Sequence, residues 1–164
     1  MARLEVPVQL RWSDMDAYGH VNNVEMLRLL EEARIEAFWS HPVGADGTRP
    51  DGAWPTAVLD ASPGSGLATL VARQEIEYVR PLAYRRAPVV VEMWIGHLGG
   101  ASLDVCYEVL DAPAAADTTA PYARAVTTLV LVDVGTGAPQ RIAAEQRAAW
   151  EAFVEEPVRL RRRR

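Results

Sequence analysis

Between Arg11 and Asn23 the chain reads Arg-Trp-Ser-Asp-Met-Asp-Ala-Tyr-Gly-His-Val-Asn-Asn, and this is where residue types that can do chemistry crowd together. Asp14 and Asp16 are carboxylates able to take a proton from water or to attack a carbonyl carbon directly. Gly19 allows the backbone to approach a ligand or to adopt a positive φ. Asn22 and Asn23 precede an apolar run and can cap a helix. The N-terminus of that helix would offer free N–H groups and the positive end of a dipole, where a developing oxyanion is stabilised. Ordinary turns and caps use the same residue types. From the residues alone the segment either performs chemistry or merely turns the chain, and His20 is either a catalyst or a hydrogen-bonded loop histidine.

The flanking elements must position this loop. Leu4, Val6, Val8 and Leu10 alternate along a strand that leads into it. Val24 to Trp39 follows as a helix without Gly or Pro, with Met26, Leu29, Leu30, Ala33 and Ala37 on one face. Leu27, Ile35 and Phe38 widen that stripe, so the helix is expected to be covered nearly all round. His41-Pro42 ends it, and Gly44 to Pro55 reads as a long loop. Strands are expected over Leu70–Val79, Val89–Ile95, Leu103–Val109 and Tyr122–Asp133, with a hairpin turn at Gly99-Gly100. Asp111 to Pro121 reads as a surface linker. Ile142, Gln146, Ala149, Trp150 and Phe153 outline a short C-terminal helix. No repeat and no second composition zone appear, which predicts one α+β domain over residues 1–155 and a basic tail over 156–164, with the Arg159–Arg164 run read as a solvated end.

Composition narrows the function classes. The 164 residues carry 17 Lys and Arg against 22 Asp and Glu, a net charge of −5. No global positive field exists to draw in nucleic acid, so no nucleic-acid partner is expected. The basic run Arg159 to Arg164 is local. Cys106 is the one cysteine, which rules out an intrachain disulfide and a Cys-rich metal site. It falls in an alternating apolar stretch and reads as a small buried residue. No run of about 18 apolar residues predicts a membrane helix, and no apolar leader follows Met1, so the expected address is the cytoplasm.

The run Asp14-Met15-Asp16-Ala17-Tyr18-Gly19-His20-Val21-Asn22-Asn23, followed by Leu27-Arg28-Leu29-Leu30-Glu31-Glu32-Ala33-Arg34, resembles the 4-hydroxybenzoyl-CoA thioesterase family of hot-dog proteins. Leu70-Val71-Ala72-Arg73, Ile76-Glu77-Tyr78-Val79-Arg80-Pro81 and Val89-Val90-Val91 are similar to a second stretch of that family. The likeness spans residues 4 to 135. It implies an α+β hot-dog fold: an antiparallel sheet of five to six strands wrapped around one long central helix. It also implies homodimers joined edge to edge, active sites at their interface, and in many members a homotetramer. The implied reaction is hydrolysis of an acyl-CoA thioester to acid and CoA, with no cofactor or metal beyond the coenzyme A of the substrate. By position, Asp16 would be the catalytic carboxylate and the backbone N–H of Asn23 the group that polarises the carbonyl. Gly19, His20, Val21 and Asn22 would shape the substrate-binding loop. The turn Tyr84-Arg85-Arg86-Ala87 departs from the Gly-Asp type usual in the family.

Further candidates come from the residues themselves. Arg80, Arg85 and Arg86 cluster in a turn that could meet the phosphates of CoA. Glu31 is an alternative catalytic carboxylate, while Glu32 falls on the polar helix face. Trp39, Trp54 and Phe38 can border an acyl pocket or simply pack. Two other functions fit the same fold: an enoyl-CoA hydratase or dehydratase using an aspartate with His20, and a non-catalytic acyl-CoA-binding module.

Overall fold

A computed structural model of the chain describes residues 2–42, 53–113 and 120–161. Its elements, in order, are β1 (Leu4–Val8), a 3-10 turn (Trp12–Asp14), α1 (Asn23–Phe38), β2 (Leu67–Tyr78), β3 (Val89–Leu98), β4 (Ser102–Leu110), β5 (Ala123–Asp133) and α2 (Ala144–Glu151). The strands form one five-stranded antiparallel sheet in the order β1-β3-β4-β5-β2. The strand before α1 and the strand after it therefore occupy opposite edges. This is the α+β hot-dog architecture, with the Gly99-Gly100 hairpin where the sequence places it. The Gly44–Pro55 and Asp111–Pro121 loops fall largely outside the described residues.

Alternation along β3, β4 and β5 puts one apolar row of each strand under α1. Val91, Met93, Val105, Tyr107, Ala125 and Leu131 meet Met26, Leu29, Leu30, Ala33, Ala37 and Phe38 in a continuous core. One expectation fails here. The helix is covered on one side only: Ile35 is 45% exposed and Leu27 half-buried, because five strands from one chain do not reach its far flank. Arg34, unmarked by periodicity, is buried on the covered side and donates through Nη1 to the Tyr107 hydroxyl at 3.1 Å. At the far end of α1, Thr56 Oγ1 donates to the Ala37 carbonyl at 2.6 Å, satisfying one of the orphan acceptors of a helix C-terminus.

The C-terminal segment is anchored to the sheet as far as Val158, while Arg159 and Arg161 beyond it are exposed, as the basic run predicts. Beyond the end of β1, Ile95 N donates to Phe153 O and Glu155 N to Ile95 O, both at 2.9 Å. The chain then crosses the outer face of the sheet as a strap. Trp94 Nε1 donates to Glu156 O at 2.9 Å, Val158 N approaches Cys106 Sγ at 3.4 Å, and the Arg161 guanidinium pairs with Glu77 on β2 at 3.2 Å. Gly96 is required for this passage: a Cβ there would stand 2.6 Å from Cys106 Sγ and 3.2 Å from the Pro157 Cα. Cys106 is fully buried beneath the strap. Arg3, just before β1, ties this end of the sheet to the start of the strap, pairing with Glu92, Glu108 and Glu155 and lying 3.8 Å from the Trp94 ring centroid.

Candidate active site

The two aspartates of the loop have opposite fates. Asp14 is fully buried, and its carboxylate accepts from Arg11 N at 2.7 Å and Arg11 Nε at 3.0 Å. Its carbonyl accepts from Asn22 N at 2.8 Å, closing the base of the loop. Asp14 is thus consumed in holding the loop together. Asp16 is half-buried, and its Oδ1 accepts from Tyr18 N at 2.8 Å and His20 N at 3.1 Å. Its Oδ2 has no partner among the described residues. Two backbone donors fix the plane of the carboxylate and leave one oxygen open to a substrate.

The local sequence explains this geometry. Asp16 N donates to His20 O at 2.7 Å and Gly19 N to Asp16 O at 3.1 Å, a tight turn over Ala17-Tyr18. Gly19 closes it at φ +75°, a left-handed conformation that disfavours any residue with a Cβ. Val21 is buried and donates through its N–H to Leu82 O at 2.8 Å, and His20 forms an isolated bridge with Ala83. The loop is therefore clamped against the chain that precedes β3.

The returning limb of the loop becomes the helix cap. Asn22 Oδ1 accepts from Val24 N at 2.9 Å, as an N-cap does. Asn23, exposed, is the first helical residue, and its N–H has no acceptor among the described residues. That leaves a free donor at the positive end of a 16-residue helix. Tyr78, at the end of β2, donates its hydroxyl to the Asn23 carbonyl at 2.8 Å and so pins the helix start to the sheet edge. Periodicity places Tyr78 in an apolar strand row. The signal that marks it is the phenol itself, a polar group at the end of such a row that needs a partner.

The remaining candidates are dispersed. Arg80 pairs with Asp111 at 2.9 Å and lies 3.6 Å from the Tyr122 ring centroid. Arg85 also pairs with Asp111, and it donates to Pro88 O at 2.6 Å and Asp111 O at 2.9 Å. Burial pushes the Asp111 carboxyl up, but its bonds to Arg80 and Tyr122 outweigh this and hold it below the ordinary range. Arg86 is exposed, and its guanidinium has no partner among the described residues. Glu31 is exposed and paired with Arg34 at 3.3 Å, and Glu32 is exposed. Phe38 is buried against Trp150, Trp39 lines a groove of about 670 Å³ with Leu59 and Thr69, and Trp54 lines a separate groove of about 560 Å³ between β1 and α1. The three rings do not border one pocket. No hydrogen bond joins the His20 ring to Asp14 or Asp16 among the described residues. Among the same residues no three His, Cys, Asp or Glu side chains gather as a metal site, and no helix is long and apolar enough to cross a membrane.

Solved structures of other proteins share this fold. A predicted thioesterase from Bacillus stearothermophilus superposes with a TM-score of 0.69 at 22% identity, covering 96% of this chain and 100% of its own. A thioesterase from Thermus thermophilus, solved with coenzyme A and zinc, superposes at 0.62 with 25% identity, over 91% of this chain and 92% of its own. A proposed acyl-CoA thioesterase from Xanthomonas campestris gives 0.58 at 27% identity, over 80% and 93%. No curated protein matches the sequence significantly. Residues 10–156 match the thioesterase-like superfamily, a span that includes the Asp16 loop, α1 and all of the sheet except β1. The chain belongs to the thioesterase-like superfamily, and its reaction class is thioester hydrolysis.

Proposed function

We propose that this thioester hydrolase acts on acyl-CoA, with Asp16 as the activating carboxylate and the Asn23 N–H as the oxyanion donor. The observation that carries the proposal is the unpartnered Oδ2 of Asp16 on a loop whose return limb caps α1, leaving the Asn23 N–H open. A thioester carbonyl has little resonance stabilisation and its thiolate leaves without strong acid help. One carboxylate and one oxyanion site suffice, so neither a triad nor a metal is required. Either Oδ2 attacks the carbonyl carbon, expelling CoA thiolate and leaving an anhydride for water to open, or Oδ2 takes a proton from an attacking water. Label found in Asp16 after a single turnover in ¹⁸O-water identifies the first route, because an anhydride opened at the Asp16 carbonyl leaves the water oxygen there and general-base attack never does.

The Thermus relative's coenzyme A and the Xanthomonas relative's acyl-CoA description support the choice of substrate class. His20 meets Asp16 through backbone atoms alone, and the absence of a hydrogen bond from its ring to either aspartate among the described residues favours hydrolysis over a hydratase dyad. Asp16→Asn keeps an acceptor for the Tyr18 and His20 N–H groups, so the loop is retained. Thiol release from acyl-CoAs should fall about 10²–10⁴-fold in that variant, the usual range for a lost acid–base group. Wild-type-level turnover by Asp16→Asn would sink the assignment, and no turnover by the parent protein would favour the binding module.

The active unit is proposed to be a homodimer paired through β2. Of the two sheet edges, β1 is short and carries Pro7, an edge-protecting residue. The β2 edge runs 12 residues and exposes Leu70 (55%), Val71 (46%) and Tyr78 (47%). Antiparallel pairing of two β2 strands would bring the partner's edge alongside Tyr78 and the start of α1.

A further inference from the structure

We propose that Trp12 and Tyr84, with the Arg86 guanidinium, form the subsite for the 3′-phosphoadenosine end of coenzyme A, an inference that rests on the acyl-CoA reading above. Trp12 is 75% exposed and Tyr84 36% exposed, and their rings meet edge to face, 5.1 Å between centroids and 80° between planes. Two rings at that angle make a corner. One provides a face on which a planar heterocycle stacks, and the other a wall against its edge. Purines stack on such aromatic faces through their own π-systems. Arg86, two residues beyond Tyr84, supplies a cation with no partner among the described residues, which suits a phosphate.

The corner is rigid and correctly rooted. Arg80 and Arg85, both held by Asp111, fix the turn that carries Tyr84 and Arg86, and Gln9 Nε2 donates to the Arg86 carbonyl at 2.8 Å. They act as positioning residues rather than phosphate ligands. Both halves of the corner are attached to the Asp16 loop: Trp12 O accepts from Met15 N at 3.3 Å, and Ala83 bridges to His20. A thioester carbonyl at Asp16 would thus leave the pantetheine arm to run outward over the loop to this corner. The acyl group is a poorer occupant, since it joins the attacked carbon directly and needs a cleft that excludes water, whereas the corner is open to solvent.

The test compares an acyl-CoA with the same acyl-pantetheine, which lacks the nucleotide. Trp12→Ala and Arg86→Ala should each raise KM for acyl-CoA roughly tenfold, the factor of one lost stacking or phosphate contact. Their kcat should hold, and KM for acyl-pantetheine should not move. Adenosine 3′,5′-bisphosphate should quench tryptophan fluorescence in the parent protein and do so less in Trp12→Phe. Equal KM for the two substrates in the parent, an equal rise for both in the variants, or a change of oligomeric state in Trp12→Ala would overturn the subsite. The fluorescence titration needs no turnover, so an absent quench with active hydrolysis rejects the corner alone, and a quench without hydrolysis rejects the catalytic reading alone.

Discussion

At the scale of single residues the site turns on two aspartates two positions apart. Asp14 and Asp16 are equivalent by type and differ only in what the fold gives them. The first has no exposure and two bonds from Arg11, while the second keeps one oxygen open. They should therefore fail differently. Asp16→Asn should lose turnover with an unchanged melting temperature. Asp14→Ala strands the Arg11 N–H and releases the Arg11 guanidinium, while the backbone bond from Asn22 N to residue 14 stays, so it should cost about 1–3 kcal/mol in denaturant unfolding. Equal melting temperatures for Asp14→Ala and the parent would contradict this division. The sequence could not separate the two roles, because the burial of Asp14 is decided by the tertiary packing of its loop. For the same reason Arg80 and Arg85 resemble phosphate ligands in the sequence, where nothing marks Asp111, 31 and 26 residues away, as the group that holds them.

At the scale of elements, α1 is a beam whose start must be held in place. Asn22 caps it, Tyr78 pins the first carbonyl, and the next free donor is the Asn23 N–H. Asn22→Ala removes the cap and should destabilise the protein by about 1 kcal/mol. It should also lower kcat more than it raises KM, since the oxyanion donor sits in the first turn; an unchanged kcat would detach Asn23 from the chemistry. This helix, the hairpin and the rows of β3 to β5 were legible because their apolar periods of 3.6 and 2 are local properties. The open flank of α1 was not, because periodicity says which residues are apolar and not how far a sheet will reach. The strap beyond Phe153 was equally hidden, since its polar sequence binds through backbone atoms and a few ion pairs rather than through an apolar face.

At the scale of the whole molecule, the outer face of the sheet is knit by charge. Arg3 is shared by Glu92, Glu108 and Glu155, which lifts the guanidinium above its usual value; the Glu155 bond contributes most. The same bond depresses the Glu155 carboxyl below its ordinary 4.5. A depressed carboxylate stabilises the folded state at any pH above that value, and the contribution disappears as pH falls through the lowered one. Melting temperature should therefore drop on acidification below about pH 4.5, and Arg3→Met should flatten that acid limb. An identical acid profile in the variant would exclude the cluster as its source. The open β2 edge makes the other prediction. Val71→Lys places a charge on it, and sedimentation should show dimer giving way to monomer, together with loss of turnover if the site needs both copies. A dimer that survives the change uses another surface.

The contact between Arg3 and Glu155 joins residues 152 positions apart, and β1 pairs with β3 across nearly ninety. Such a connectivity governs time as well as stability. Loops this long must close before β1 and the strap have anything to bind, so folding belongs with the slow, high-contact-order domains, in the range of about milliseconds to seconds. On the ribosome, β1 emerges before its partner and waits unpaired for β3, and the outer face stays uncovered until the residues beyond Phe153 have been synthesised. The fold that presents Asp16 is closed by strap residues made after every strand of the sheet.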